Sequence, residues 1–145
     1  MNECMYCQPE SLRRSSLMTK VCDLPGSVVY LFRDQRYAGR VVVASRTHFK
    51  EIFEMSEEQR CQFFNDVAHV AQVLTELFHA EKINYSIWGD KANHTHVHLV
   101  PKTQQQAEWG KPFLHDPDHP IHVDEHTFQV RVDELRKALE LPSSF

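Results

Sequence analysis

A chain of 145 residues with 41% hydrophobic content is long enough for one domain, because at that size roughly two thirds of the unfolded surface can be buried. With 16 Lys and Arg against 20 Asp and Glu the net charge is -4, which argues against a broad footprint for DNA, RNA or an anionic membrane while leaving room for a small anion held locally. No apolar run approaches the roughly 18 residues needed to cross a bilayer, and the polar start Met1-Asn2-Glu3-Cys4 does not read as a signal peptide. The expectation is therefore a cytoplasmic protein whose four cysteines are not a disulfide framework.

In chain order, Cys4-Met5-Tyr6-Cys7 comes first, and its two-residue spacing lets both thiolates reach one tetrahedral ion. Free thiols or a redox pair are the alternatives, the latter weakened because no βαβ pattern follows. Ser27 to Phe32 and Gly39 to Ala44 are β-branched and aromatic runs separated by a polar turn, as in a hairpin. Ser56, with Gln59 as its capping-box partner, opens a long helix to His79, along which Cys61, Phe64, Ala68, Ala71, Leu74 and Phe78 recur at helical spacing. Ile83 to Trp88 reads as a strand, Gly89 to Asn93 as a tight turn, and the run from His94 as the strand returning beside it on an inner position.

Beyond Pro101 the chain is polar and interrupted by Pro112, Pro117 and Pro120, so His115, His119, His122 and His126 are expected in an exposed loop. Residues 132 to 141 then offer a short amphipathic helix, and His69 and His79 fall on the surface of the long one. Strands grouped about a long helix, without βαβ alternation, predict an antiparallel α+β domain spanning residues 1–145.

The most informative segment is His94-Thr95-His96-Val97-His98-Leu99-Val100. On a strand, alternation puts all three imidazoles on one face, neighbours roughly 6.5 to 7 Å apart, with Thr95, Val97 and Leu99 on the other. Such a face could serve packing alone, or hold a catalytic zinc on three neutral rings with an open coordination position. It could also act by nucleophilic catalysis, since a ring whose second nitrogen is pinned by a carbonyl can attack phosphorus without first losing a proton.

The run His94 to Val100 resembles the histidine triad (HIT) pattern. Gly39 to His48 is similar to that family's glycine-led strand ending in a histidine, and Pro101-Lys102 to its exit from the triad, so the likeness spans most of residues 28–102. The resemblance implies an antiparallel sheet with one long and one short helix, a homodimer, and hydrolysis or nucleotidyl transfer at the α-phosphorus of an adenosine or other purine nucleotide. Dinucleoside polyphosphates and nucleoside phosphoramidates are substrates of the implied type. His96 would be the nucleophile, forming a covalent nucleotidyl-histidine, and His98 would contact the phosphate and leaving group.

The Cys pair, the Gly-Asp turn and Trp109-Gly110 resemble a zinc-containing bacterial branch described as diadenosine tetraphosphate hydrolase-like. That likeness implies a structural zinc on Cys4, Cys7, His48 and His94, leaving no catalytic metal. It also directs attention to Lys91 and Asn93 for phosphate, Asp34 for ribose hydroxyls, and Trp109 for the base or a partner subunit; Tyr30 and Phe32 fit a base pocket or the core. Two rival readings stand beside it, a nucleotide-binding regulatory module with little turnover and a metallohydrolase whose zinc sits on all three triad histidines.

Overall fold

The computed structural model describes residues 3–142, so Met1 and Asn2 of the polar start lie outside the described residues. Its elements are α1 (Leu12–Leu17), β1 (Met18–Asp23), β2 (Ser27–Phe32), β3 (Val41–Ser45), a single 3-10 turn (Ile52–Glu54), α2 (Glu57–Phe78), β4 (Lys82–Ile87), β5 (His96–Lys102) and α3 (Glu125–Leu139). Among the described residues five strands form one sheet in the order β1-β2-β3-β5-β4, each neighbour antiparallel. The architecture is α+β, and β5 occupies the expected inner position. Among the described residues no helix is long and apolar enough to cross a membrane.

Alternation decides which face each strand buries. Val29, Leu31, Val41, Val43, Val97 and Leu99 point to one side, at 0 to 1% exposure, and pack beneath α2 and α3 against Phe63, Val70, Leu74, Phe128 and Leu135. The opposite side carries Tyr30, Val42 and Ala44 in a smaller cluster with Met5 and Met18, and it is the side of His96 and His98. Register fixes this neighbourhood: Val42 pairs with His98 and Ala44 with His96. Gly39 opens β3 at φ +90, and a Cβ there would lie 2.6 Å from the Phe78 ring, so α2 can close on the hairpin only over a glycine.

Several local expectations change. Strand β5 begins at His96, not His94, because the Thr95 N–H bonds to the Phe49 carbonyl at 2.7 Å in the loop after β3, and β4 ends at Ile87, which pairs with Val97. The buried stripe of α2 runs through Phe63, Val67, Val70 and Leu74, while Cys61, Phe64 and Ala68 face solvent. Helix α3 begins at Glu125, seven residues before Val132, since Asp124 caps it by accepting the Thr127 N–H at 2.8 Å and Phe128 supplies an extra buried turn. His126 is thus helical and not in the loop. The hairpin turn between β1 and β2 is tied to α2 by Asp66, whose Oδ2 accepts from the Gly26 N–H and the Ser27 hydroxyl, each at 2.8 Å.

Candidate functional site

The three alternate histidines hold their protons on different nitrogens, His96 on Nδ1 and the other two on Nε2. Carbonyl oxygens only accept, so the 2.6 Å contact of His96 Nδ1 with the His94 carbonyl places a proton on Nδ1 and leaves Nε2 with a free lone pair. Guanidinium groups only donate, so Arg40 Nη2, 3.1 Å from His98 Nδ1, makes that nitrogen the acceptor, and the proton of neutral His98 sits on Nε2. His94 Nε2 donates to the Ser45 carbonyl at 2.7 Å, which leaves its Nδ1 bare.

That bare nitrogen points away from the other two rings. It lies 3.5 Å from Cys4 Sγ, 3.5 Å from Cys7 Sγ and 3.2 Å from His48 Nδ1, and Cys7 Sγ is 3.3 Å from His48 Nδ1. A tetrahedral zinc with ordinary Zn–N and Zn–S lengths has edges of roughly 3.3 to 3.8 Å between its ligand atoms, so these separations fit one ion. All four ligand atoms lie within 4.8 Å of one another. A tight turn, with the Cys7 and Gln8 N–H groups both bonded to the Cys4 carbonyl, aims the two thiols, and Arg14 braces it through the Met5, Gln8 and Pro9 carbonyls. The Ser45 carbonyl behind His94 is the outer partner that orients a metal-bound imidazole. This arrangement disfavours one metal on all three triad histidines, because His94 turns its free nitrogen to the cysteines.

His96 and His98 remain together, ring centroids 5.5 Å apart, closer than an ideal flat strand gives. Burial lowers the pKa of His96, opposed by its bond to the His94 carbonyl. Burial, then the Arg40 charge, then His115 and His96, push His98 down to about 2, so it is neutral at physiological pH. Burial in turn brings Arg40 down to about 10, still a cation near pH 7.

The pair is covered. His96 is 6% and His98 4% exposed. The Tyr6 ring lies 5.0 Å from His96 and 5.2 Å from His94, held between the two cysteines of the metal-capable turn. The His115 ring lies 4.5 Å from His98, so although exposed on one side it is an active part of the cluster, a role its place among prolines did not signal. Tyr6 and Arg40 are the other residues that sequence reasoning missed. The signal for Arg40 was present, a charge two residues before Val42 where the loop runs into the apolar start of β3.

The lesser candidates are placed as follows. Asp34 is buried, and its Oδ1 accepts the backbone N–H groups of Arg36 at 3.1 Å and Ile121 at 2.9 Å, tying the tail to the hairpin loop. Lys91 is solvated and faces Asp116 at 3.9 Å. Lys91 and Asn93 line a cleft with Arg13 and with Cys4 and His48 of the metal-capable cluster. Trp109 borders a cleft with Lys82, Asn84 and Lys111. The structure thus joins His96 and His98 with Arg40, His115 and Tyr6. It puts Trp109, Lys91 and Asn93 in clefts that His96 and His98 do not line.

Comparison with known proteins gives the same architecture. The chain is similar to an uncharacterized HIT-like protein, MJ0866, of Methanocaldococcus jannaschii, at 26% identity over 98 residues, covering 59% of this chain and 76% of that one. Its fold is similar to the histidine triad protein blr8122 of Bradyrhizobium japonicum, with TM-score 0.80, 24% identity, and 90% and 96% of the two chains covered. A histidine triad protein of Marinobacter aquaeolei VT8 gives TM-score 0.81 at 22% identity over 92% and 96%. Diadenosine triphosphate hydrolase of Plasmodium falciparum gives TM-score 0.62 at 9% identity over 83% and 76%. The HIT domain family model matches residues 14–105, a span that holds all three triad histidines together with His48 and Arg40, and the chain belongs to the HIT family.

Proposed function

We propose that the protein is a nucleotide hydrolase or nucleotidyl transferase that works at the α-phosphorus through His96. The observation that carries this reading is the His96 Nδ1–H bond to the His94 carbonyl, which leaves a neutral ring's lone pair free on Nε2. In the first step Nε2 forms a bond to phosphorus while the bond to the leaving group breaks, its electron pair departing with the leaving atom. The oxygen of water then bonds to phosphorus and gives up a proton to the solvent, the P–N bond breaks, and Nε2 recovers its pair as the nucleoside monophosphate leaves.

His98 acts in this scheme as a neutral donor. Its Nε2–H gives a hydrogen bond to a phosphoryl or leaving oxygen and stabilises charge that develops there. It does not carry a spare proton near neutral pH, so leaving groups that depart without protonation suit it best. Cys4, Cys7, His48 and His94 would hold a structural zinc, which ties Tyr6 and the start of β5 into one unit and takes no part in the chemistry.

The test is quenched mass spectrometry during turnover of diadenosine tetraphosphate and adenosine 5′-phosphoramidate. A nucleotidyl mass gain on the peptide holding His96 is expected, and His96→Ala should lose the adduct and at least about a thousandfold of the rate. Full activity in that variant would rule the scheme out. The coverage of His96 by Tyr6 and of His98 by His115 favours one second reading, a nucleotide-binding protein with slow turnover. It predicts tight AMP binding with no adduct in the wild-type chain.

A further inference from the structure

Arg40 is a buried cation on whose charge Asp34 and Asp116 act only from beyond ion-pair distance. The residue is 1% exposed, its guanidinium lies 4.1 Å over the Phe32 ring and 5.2 Å over Phe113, and its Nε has no hydrogen-bond partner. Among the described residues no carboxylate forms an ion pair with it. Nη2 is shared between His98 Nδ1 at 3.1 Å and the His115 carbonyl at 3.0 Å, both neutral acceptors. Burying a cation whose carboxylates stay beyond contact and whose Nε–H is unpaired is unfavourable, and a fork of N–H donors matches the planar or tetrahedral oxygens of a carboxylate or phosphate.

The segment that covers Arg40 is also the one built to give way. The tail is anchored before it, where the Leu114 N–H donates to the Tyr37 hydroxyl at 2.8 Å, and after it, where Arg36 donates to the His119 carbonyl at 2.7 Å. Between those anchors, residues 115–118 are held by the His115 carbonyl on Arg40, by the contacts of the His115 ring, and by the solvated Lys91–Asp116 pair. Tyr6, the other cover, is pinned between Cys4 and Cys7 and has no such slack.

We infer that Arg40 is a phosphate-binding residue of the site and that residues 115–118 are its gate: a phosphoryl oxygen of the substrate displaces the His115 carbonyl and takes the free Nε–H in the same fork. The inference rests on the reading above only in placing a phosphate beside His96 and His98. It names the ligand class as nucleotides with anionic phosphate and excludes the neutral nucleoside from this contact. Because His98 accepts from the same guanidinium, an anion on Arg40 also keeps His98 aligned as a donor.

Binding of AMP and of adenosine to the full chain tests it, by calorimetry and by 15N-resolved spectra, with no turnover required. Arg40→Met should weaken AMP by roughly 10- to 100-fold, the loss of a charge-assisted hydrogen bond, and leave adenosine unchanged. His115→Gly should tighten AMP, since a larger share of molecules is then open. In the wild-type chain the Arg40 Nε–H and His115 amide signals should move with AMP and not with adenosine. Equal weakening of both ligands by Arg40→Met, or an Arg40 Nε–H signal indifferent to AMP, would overturn the proposal. The spectra decide even if Arg40→Met fails to fold. Failure of covalent catalysis would show as a missing adduct on His96 and would leave these binding results untouched.

Discussion

Acid should unfold this protein partly through His98, and the size of the effect can be worked out. The folded ring is held neutral down to about pH 2 by burial, with the Arg40 cation adding to it, whereas an unfolded histidine titrates near 6.5. The unfolded state therefore binds more protons below that value, and stability falls as pH falls. At about pH 5 the unfolded ring is almost fully protonated and the folded one is not, which costs about 2 kcal/mol relative to pH 7.5 at 1.36 kcal/mol per unit. Any folded value below about 4 gives the same loss, because the unfolded pKa alone sets it at pH 5.

The assay compares wild type with His98→Asn, whose side-chain oxygen can still accept from Arg40, in urea titrations between about pH 7.5 and 5. Differencing the two chains removes proton uptake that they share, including any by His48, His94 and the cysteines. The wild-type advantage should shrink by about 2 kcal/mol over that range, most of it below about pH 6.5. A gap that does not change with pH would refute the account of a ring kept neutral by burial and a neighbouring cation.

Two further outcomes are expected. Purified chain never exposed to chelator should hold one zinc, and stripping it, or replacing Cys4 or Cys7 by Ser, should lower the melting temperature and release Tyr6 from His96, read by elemental analysis and the Tyr6 ring signals; a metal-free chain of equal stability contradicts the fit of the four ligand atoms. Gly39→Ala should cost more than about 2 kcal/mol in a denaturant melt, combining a positive φ with a Cβ 2.6 Å from Phe78, and a neutral result would show that α2 sits less closely on the hairpin.

What the sequence revealed follows its strongest local signals. The Val-rich hairpin, the Ser56 to Gln59 cap and the strand-turn-strand around Gly89 are local patterns, and each element lies within about two residues of where those patterns put it. Strand β1 escaped notice because it is an edge strand with a bulge between Lys20 and Cys22, so its buried positions, Met18 and Val21, fall three apart instead of two. Helix α1 has six residues, too few to show a period. In α2 the apolar residues are dense enough to draw two stripes, and only packing against the sheet selects Phe63, Val67, Val70 and Leu74 over Cys61, Phe64 and Ala68. The metal-capable cluster joins residues 41 to 90 positions apart, a separation no spacing rule reaches; the family likeness supplied it.

The residues that local reading missed share one origin, the loop between β2 and β3. Asp34 and Gln35 hold the Ile121 N–H and carbonyl, Arg36 holds the His119 carbonyl, and the Tyr37 hydroxyl meets both Leu114 and Glu108. This loop docks the polar tail back over the sheet, and the docked tail is what brings His115 onto His98. A polar stretch broken by three prolines has no core of its own to reveal that path; its destination is written in hydrogen bonds to residues some 80 positions earlier. The consequence for chemistry is a site roofed from both ends of the chain, by Tyr6 fixed beside the cysteines and by His115 held only between anchors. Closing such a roof removes water and strengthens every charge inside it, including the field of Arg40 on any anion that enters beside it.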